Sequence, residues 1–203
     1  MNSLMYSVND LFNFEKVVAD YTGAPFVVAT DGCNHGMELV IRLLNIKKLS
    51  CPAKTYLSVI QLLTDLNLDY ELTDEDWAKK GEYRFGLTNL WDSARRFEKN
   101  MYQPGQIQVV SFGNTKPMHV GKLGAILLDS KSQYLELSMM RSDGRDLNIS
   151  PWSLQKVFRQ GYHYCPTFED CAKGVEKLIT KQFTPMRQEY WYPDCREFII
   201  GKK

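Results

Sequence analysis

The sequence predicts an α/β protein, a three-layer arrangement of a mostly parallel sheet with helices on both faces. One domain is expected over residues 1–183, with a C-terminal tail over 184–203 that packs on the domain or on a partner subunit. Three observations point there. Short apolar runs of strand character alternate with amphipathic segments of helical spacing along most of the chain. The 203 residues are 44% hydrophobic and 12% aromatic, enough to bury a core and too apolar for a disordered chain. Several apolar runs end in polar turns, where functional groups collect in such folds.

Taken in order, Asn9-Asp10 caps a helix whose apolar face is Leu11, Phe12, Phe14, Val17 and Val18 and which ends near Tyr21-Thr22-Gly23. Phe26 to Thr30 is a short buried strand. After the turn Asp31-Gly32-Cys33-Asn34, the residues Met37, Leu39, Val40, Ile41, Leu43 and Leu44 mark a strongly apolar helix. Leu49 to Pro52 ends a second strand, Tyr56 to Asn67 forms a helix, and Asp69 to Leu72 a third strand. Phe85 to Trp91 is expected to be a strand ending at Asp92, and Ile107 to Phe112 another ending before Gly113-Asn114-Thr115-Lys116. Ala125 to Leu128 is the last clear strand. From Trp152 onward the chain reads helical, most strongly over Phe168 to Phe183. Tyr190-Trp191-Tyr192-Pro193 then marks an aromatic tail suited to a subunit contact.

Charge and composition exclude several classes. Lys and Arg number 25 against 24 Asp and Glu, a formal net charge of +1. This balance provides no broad basic field, so bulk nucleic-acid binding is not expected, and Arg141, Arg145, Lys156 and Arg159 read as a solvated face. No apolar run approaches the ~20 residues of a membrane span. Met1 to Leu4 opens without a charged stretch ahead of an apolar one, and the expected location is cytoplasmic. Five cysteines, Cys33, Cys51, Cys165, Cys171 and Cys195, contain no C-x-x-C pair and read as reduced thiols. With His35, His119 and His163 as the only histidines, no metal site is expected.

Three strand ends carry chemistry. In Asp31-Gly32-Cys33-Asn34-His35-Gly36, a turn opening a helix presents free backbone N–H groups to an anion such as a phosphate, although a plain helix cap has the same pattern. In Trp91-Asp92-Ser93-Ala94-Arg95, a carboxylate behind an apolar strand needs a cationic partner, and an ion pair with Arg95 or Arg96 would supply one. In Ser111-Phe112-Gly113-Asn114-Thr115-Lys116, the lysine is either a solvated side chain or a Schiff-base residue.

In this order, the three segments resemble the DegT/DnrJ/EryC1/StrS family, the pyridoxal-phosphate (PLP) sugar aminotransferases of fold type I. The likeness runs over roughly residues 12 to 180. It includes Phe14 to Gly23, the turn Asp31 to Gly36, Pro52-Ala53-Lys54-Thr55-Tyr56, Leu90 to Arg95, Ser111 to Lys116 with Gly121-Lys122-Leu123-Gly124-Ala125, and Gly161-Tyr162-His163-Tyr164. The resemblance implies PLP as cofactor and a large-domain-like fold. Lys116 would form the internal aldimine and Asp92 would pair with the pyridinium nitrogen. Ser111 and the turn at Cys33, Asn34 and His35 would hold the phosphate, and Tyr56 would lie on the ring. Arg95 stands where the family has a glutamine near the ring hydroxyl. His163 stands where an asparagine reaches the phosphate of the neighbouring subunit, which implies a homodimer with shared sites. Two segments usual in the family are missing: a strand and helix between Leu72 and Leu90, and a C-terminal small domain after Phe183.

The expected activity is PLP-dependent transamination of a nucleotide-linked sugar or related amino compound, between a small-molecule amino donor and acceptor. A decarboxylase or lyase acting on an amino acid or on an amino-modified nucleotide or base, as in viral DNA-base modification, is an alternative. A catalytically reduced scaffold or partner subunit is another, favoured by the missing segments and opposed by Ser111, Lys116 and Asp92 occurring together.

Overall fold

The computed structural model describes residues 6–181, 183 and 192–198. Its helices are α1 (Val8–Thr22), α2 (Cys33–Leu43), α3 (Leu57–Asp65), α4 (Lys131–Arg141) and α5 (Phe168–Ile179). Its strands are β1 (Phe26–Thr30), β2 (Lys48–Pro52), β3 (Asp69–Thr73), β4 (Tyr83–Arg84), β5 (Leu90–Asp92), β6 (Ile107–Ser111) and β7 (Gly124–Leu128). Five strands form a sheet in the order β1-β7-β6-β5-β4, while β2 and β3 make a separate parallel pair.

Alternation along the strands separates two cores. Val28, Val109, Ile126 and Leu128 face α2, α3 and α4, joining Met37, Ile41, Ile60, Leu63 and Leu137. Val27, Ala29, Val110, Ala125 and Leu127 point the other way, onto Leu11, Phe14 and Val18 of α1 and Cys171 and Leu178 of α5. Successive residues of a strand face opposite sides, so near-continuous apolar strands require cover on both. The result is the expected three layers. The close fit of α5 on α1 needs Gly174, where a Cβ would lie 2.5 Å from Cε2 of Phe14.

The sheet is mixed. β5 and β6 are parallel, but β7 runs against both β1 and β6, and β4 runs against β5. Residues 112–123, between β6 and β7, contain no helix, and a strand that returns without a crossover helix pairs antiparallel. The expected single strand Phe85 to Trp91 is instead the turn and second arm of a hairpin. Gly86 takes φ +54°, and a Cβ there would meet the Ser50 nitrogen at 3.0 Å.

Helix α1 begins at the N-cap Ser7, earlier than the Asn9-Asp10 cap expected. Asp10 accepts the Ser7 N–H at 2.7 Å, so the acidic residue closes the capping box from inside the helix. Gly23, at φ 78°, ends it as expected. The sequence gives little sign of α4, because its buried side chains are few: Leu137, Met140 and Arg141. Among the described residues from Trp152 to Phe183, the helical expectation holds only for a short 3-10 turn, Trp152–Leu154, and for α5. Between them the backbone bonds to the end of α4, with Tyr162 N–H donating to Met140 O at 2.7 Å and Tyr164 N–H to Arg141 O at 3.1 Å. Those amides therefore have partners without forming a helix.

Arg141, expected on a solvated face, is instead buried in an ion pair that crosses the fold. Arg141 of α4 bonds Glu15 of α1, and both hold Ala29 of β1: its N–H donates to Glu15 at 2.9 Å and its carbonyl accepts from Arg141 at 3.0 Å. In the C-terminal segment, Cys195 N–H donates to Ala53 O at 2.9 Å and the Tyr192 ring stacks on Trp77 at 5.7 Å. Tyr190 and Trp191 lie outside the described residues. All five cysteines are free thiols. Among the described residues, no helix is long and apolar enough to cross a membrane.

Candidate active site

Strands β1, β5 and β6 run in one direction, because β1 and β6 both oppose β7 and β5 parallels β6. Their carboxyl ends therefore lie along one edge of the sheet. This brings the Asp31 to His35 turn, Asp92 and the Ser111 to Lys116 turn together. β7 starts at the same edge, with Gly124 opposite both Thr30 and Ser111. A Cβ at Gly124 would lie 2.7 Å from the Cys33 nitrogen and from the Gly32 carbonyl carbon, so the first turn of α2 is seated on this glycine.

Asp92 is the buried acid of the cluster, 3% exposed. Its Oδ1 accepts from Ala94 N–H at 2.9 Å and its Oδ2 from the Tyr83 hydroxyl at 2.9 Å. Burial raises its pKa above the usual carboxylate value; the two hydrogen bonds and the Lys116 charge pull it back only in part. Lys116 leaves β6 through a turn in which its N–H donates to Gly113 O at 2.9 Å. Burial lowers its ammonium pKa below the ordinary lysine value, opposed by Asp92 and Cys33 and reinforced by Arg95. The Cys33 thiol is pushed well up by burial and then by Asp92, so it stays protonated. Lys116, Asp92, Cys33 and Arg95 thus form one electrostatic unit.

The other expected site residues divide. Ser111, the last residue of β6, is half-buried, with its Oγ accepting from Gly113 N–H at 3.4 Å. The α2 N-terminus has no side-chain cap at Gly32, so no cap side chain takes up its first-turn amides, and a Cβ at Gly32 would meet only open space. The side chain of Asn34 is committed elsewhere: its Nδ2 donates to Ser58 O at 2.8 Å and its Oδ1 accepts from the Ser58 hydroxyl at 3.1 Å. Asn34 therefore offers the site a backbone N–H. His35 lies flat on Tyr164 at 3.8 Å and bonds Asp31 through Nδ1 at 2.6 Å. The bond to Asp31 raises the imidazole pKa, against its partial burial.

Tyr56 projects into solvent, its ring set edge-on to Tyr192 with the two ring centres 5.9 Å apart. Arg95 is buried, with its guanidinium carbon 5.8 Å from the rings of both Trp77 and Tyr192. His163 is not part of the cluster; its exposed ring bonds Asp143 at 3.0 Å. The sequence reading missed Tyr83 and Trp77. Tyr83 lies directly across the β4–β5 hairpin from Asp92, and Trp77 packs against its ring at 5.0 Å. Only recognition of that hairpin could have found them.

Solved structures share this architecture. AtS13 from Actinomadura melliaura matches with a TM-score of 0.71 at 17% identity, over 86% of this chain and 61% of that one. The fold is that of the PLP-dependent sugar aminotransferases and their relatives. DesI, solved in the presence of its TDP-sugar product, matches with a TM-score of 0.63 at 15% identity, over 85% of this chain and 54% of its own. The GDP-4-keto-6-deoxy-D-mannose-3-dehydratase of E. coli, with bound hydrated PLP, gives 0.64 at 15% identity, over 85% and 60%. The chain spans about three fifths of the length of the structures it matches. Neither a protein-family model nor a curated protein matches the sequence.

Proposed function

We propose that this chain is a PLP enzyme in which Lys116 holds the cofactor and carries the proton, acting as an aminotransferase on a nucleotide-linked sugar or related amino compound. The observation that carries this reading is the Lys116–Asp92 pair at one sheet edge, a lysine of lowered basicity beside a buried carboxylate. The donor set suits the group. The uncapped α2 N-terminus, with the amides of Cys33, Asn34 and His35 and the Ser111 hydroxyl, is a phosphate cradle. Asp92 has lone pairs left after its bonds from Tyr83 and Ala94 and can accept from a ring N–H. PLP, when bound, supplies an electron-accepting ring that stabilises negative charge at the carbon beside the substrate nitrogen.

The residues divide the work by their chemistry. Lys116, with its pKa lowered by burial, yields a neutral amine more readily than a surface lysine and can take and return a proton. With the cofactor bound, Asp92 would accept from the ring N–H and so hold a proton at the ring nitrogen. Tyr56 would offer its exposed aromatic face to the ring, and Arg95 sets positive charge near Lys116. We further propose a homodimer in which His163, exposed on its own subunit, reaches the partner's phosphate site. The dehydratases among the matching structures favour elimination as the second reading, because removal of a proton by Lys116 serves both outcomes.

The test is the absorbance spectrum of the purified protein with added PLP, wild type beside Lys116→Ala, before and after borohydride. A visible band that borohydride fixes to the protein only when Lys116 is present is expected. Colourless wild type and variant would overturn the reading.

A further inference from the structure

Asp92 is held by a line of buried hydroxyls. The Tyr83 ring is fully buried and its hydroxyl sits 2.9 Å from Asp92 Oδ2 and 2.9 Å from Thr55 Oγ1; Thr55 is itself 1% exposed. The directions follow from proton counting. An ionised carboxylate only accepts, so the single phenol proton points to Asp92, and the Thr55 hydroxyl must donate into the phenol oxygen. The chain runs Thr55 to Tyr83 to Asp92. Its geometry comes from two pieces of backbone: the hairpin register that sets Tyr83 opposite Asp92, and the end of β2 that delivers Thr55. Trp77 at 5.0 Å and Phe85 at 5.2 Å fix the Tyr83 ring edge-on.

We propose that Tyr83, oriented by Thr55, is a positioning residue that fixes the carboxylate of Asp92 and sets how readily it holds a proton at the ring nitrogen. This rests on the PLP reading for its purpose, but not for its measurement. Around Asp92 the other titratable groups are Lys116 from the turn after β6, Cys33 at the start of α2 and Cys51 of β2; Ala94 N–H supplies the second hydrogen bond. Both thiols are held protonated by burial, so Lys116 is the charge that acts on Asp92 beside the hydroxyl line, and it lowers the midpoint in the same direction. A hydrogen bond to a charged group is worth enough to move a carboxyl titration by about one pH unit. Since Tyr83 donates to the ionised form, removing its hydroxyl moves the Asp92 midpoint upward.

The experiment is a carboxyl-carbon NMR titration of Asp92 in the cofactor-free protein, for wild type, Tyr83→Phe and Thr55→Val. A pH titration of the bound-PLP absorbance in the same three proteins accompanies it. Tyr83→Phe keeps the ring packing and is expected to raise the midpoint by about one pH unit. Thr55→Val leaves the phenol in place and is expected to shift the midpoint the same way by less. The bound-PLP titration should move in step. An unmoved midpoint in a folded Tyr83→Phe protein, or an opposite shift in Thr55→Val, overturns the proposal; if Tyr83→Phe does not fold, the direction in Thr55→Val decides. Should wild type bind no PLP, the functional reading fails while the NMR titration still decides the role of Tyr83.

Discussion

Asp92 has an unfavourable position in the cofactor-free protein. Its carboxyl is buried and its pKa lies above 3.8, so the folded state takes up a proton more readily than the unfolded chain. The stability of the protein with respect to this group is therefore greatest below 3.8 and declines as pH rises through the raised folded value. Asp92→Asn removes that penalty. Its amide can donate to the Tyr83 oxygen while the phenol turns its proton to Thr55. The melting temperature of Asp92→Asn should accordingly gain on wild type between pH 4 and pH 7, while turnover with PLP falls by about two orders of magnitude or more. Thermal melts at both pH values, beside an amine-transfer assay, check the two halves. Asp92 and Ser111 were legible because each is the polar last residue of an apolar strand, and Lys116 because it lies in the turn that follows one. Tyr83 was not, since its value comes from the pairing that opposes it to Asp92 across a turn. The amide of Asn34 was illegible for a similar reason: its partner, Ser58, comes from another helix.

Among the elements, the α2 N-terminus depends most directly on a distant residue. It rests against Gly124, the first residue of β7, where a Cβ would come within 2.7 Å of backbone atoms. Backbone cannot swing aside as a flexible side chain does, so Gly124→Ala must displace the turn or the strand. Gly124→Ala is expected to weaken PLP binding at least tenfold while Lys116 and Asp92 remain intact, as measured by fluorescence titration. Unchanged affinity would show that the turn does not hold the phosphate. Element order was largely legible because the buried strands and helices carry their apolar patterns in full. The turn within Phe85 to Asn89 broke the expected single strand, since a buried Phe85 makes an apolar run continue through a bend. Helix α4 and the non-helical residues 155–167 were hidden for opposite reasons. The helix is too polar to announce itself, and the segment's amides bond to a neighbouring element rather than among themselves.

At the scale of the whole molecule, the three layers followed from apolar strands needing cover on both faces. The direction of β7 did not, because strand polarity depends on the path of the connection rather than on side-chain pattern. The segment carrying His163 also exposes Trp152, Leu154, Val157 and Phe158, with Val157 73% accessible. Such a cluster suits the homodimer proposed above. Sedimentation of the wild type should give a dimer, and Leu154→Lys with Val157→Lys a monomer. His163→Ala should leave the dimer intact and weaken PLP binding. A monomeric wild type would remove His163 from the site.

The Glu15–Arg141 pair also limits how this sheet can grow. Among the described residues β1 has only β7 beside it, so its other side is a row of backbone donors and acceptors open to a strand from another chain. At Ala29 both groups are already taken, the N–H by Glu15 and the carbonyl by Arg141. A docking strand would have to displace a buried, paired charge before it could make its own bonds there, a penalty of several kcal/mol at a single residue. The two side chains close this border of the sheet to continuation, and self-association is left to the side-chain surfaces of the molecule.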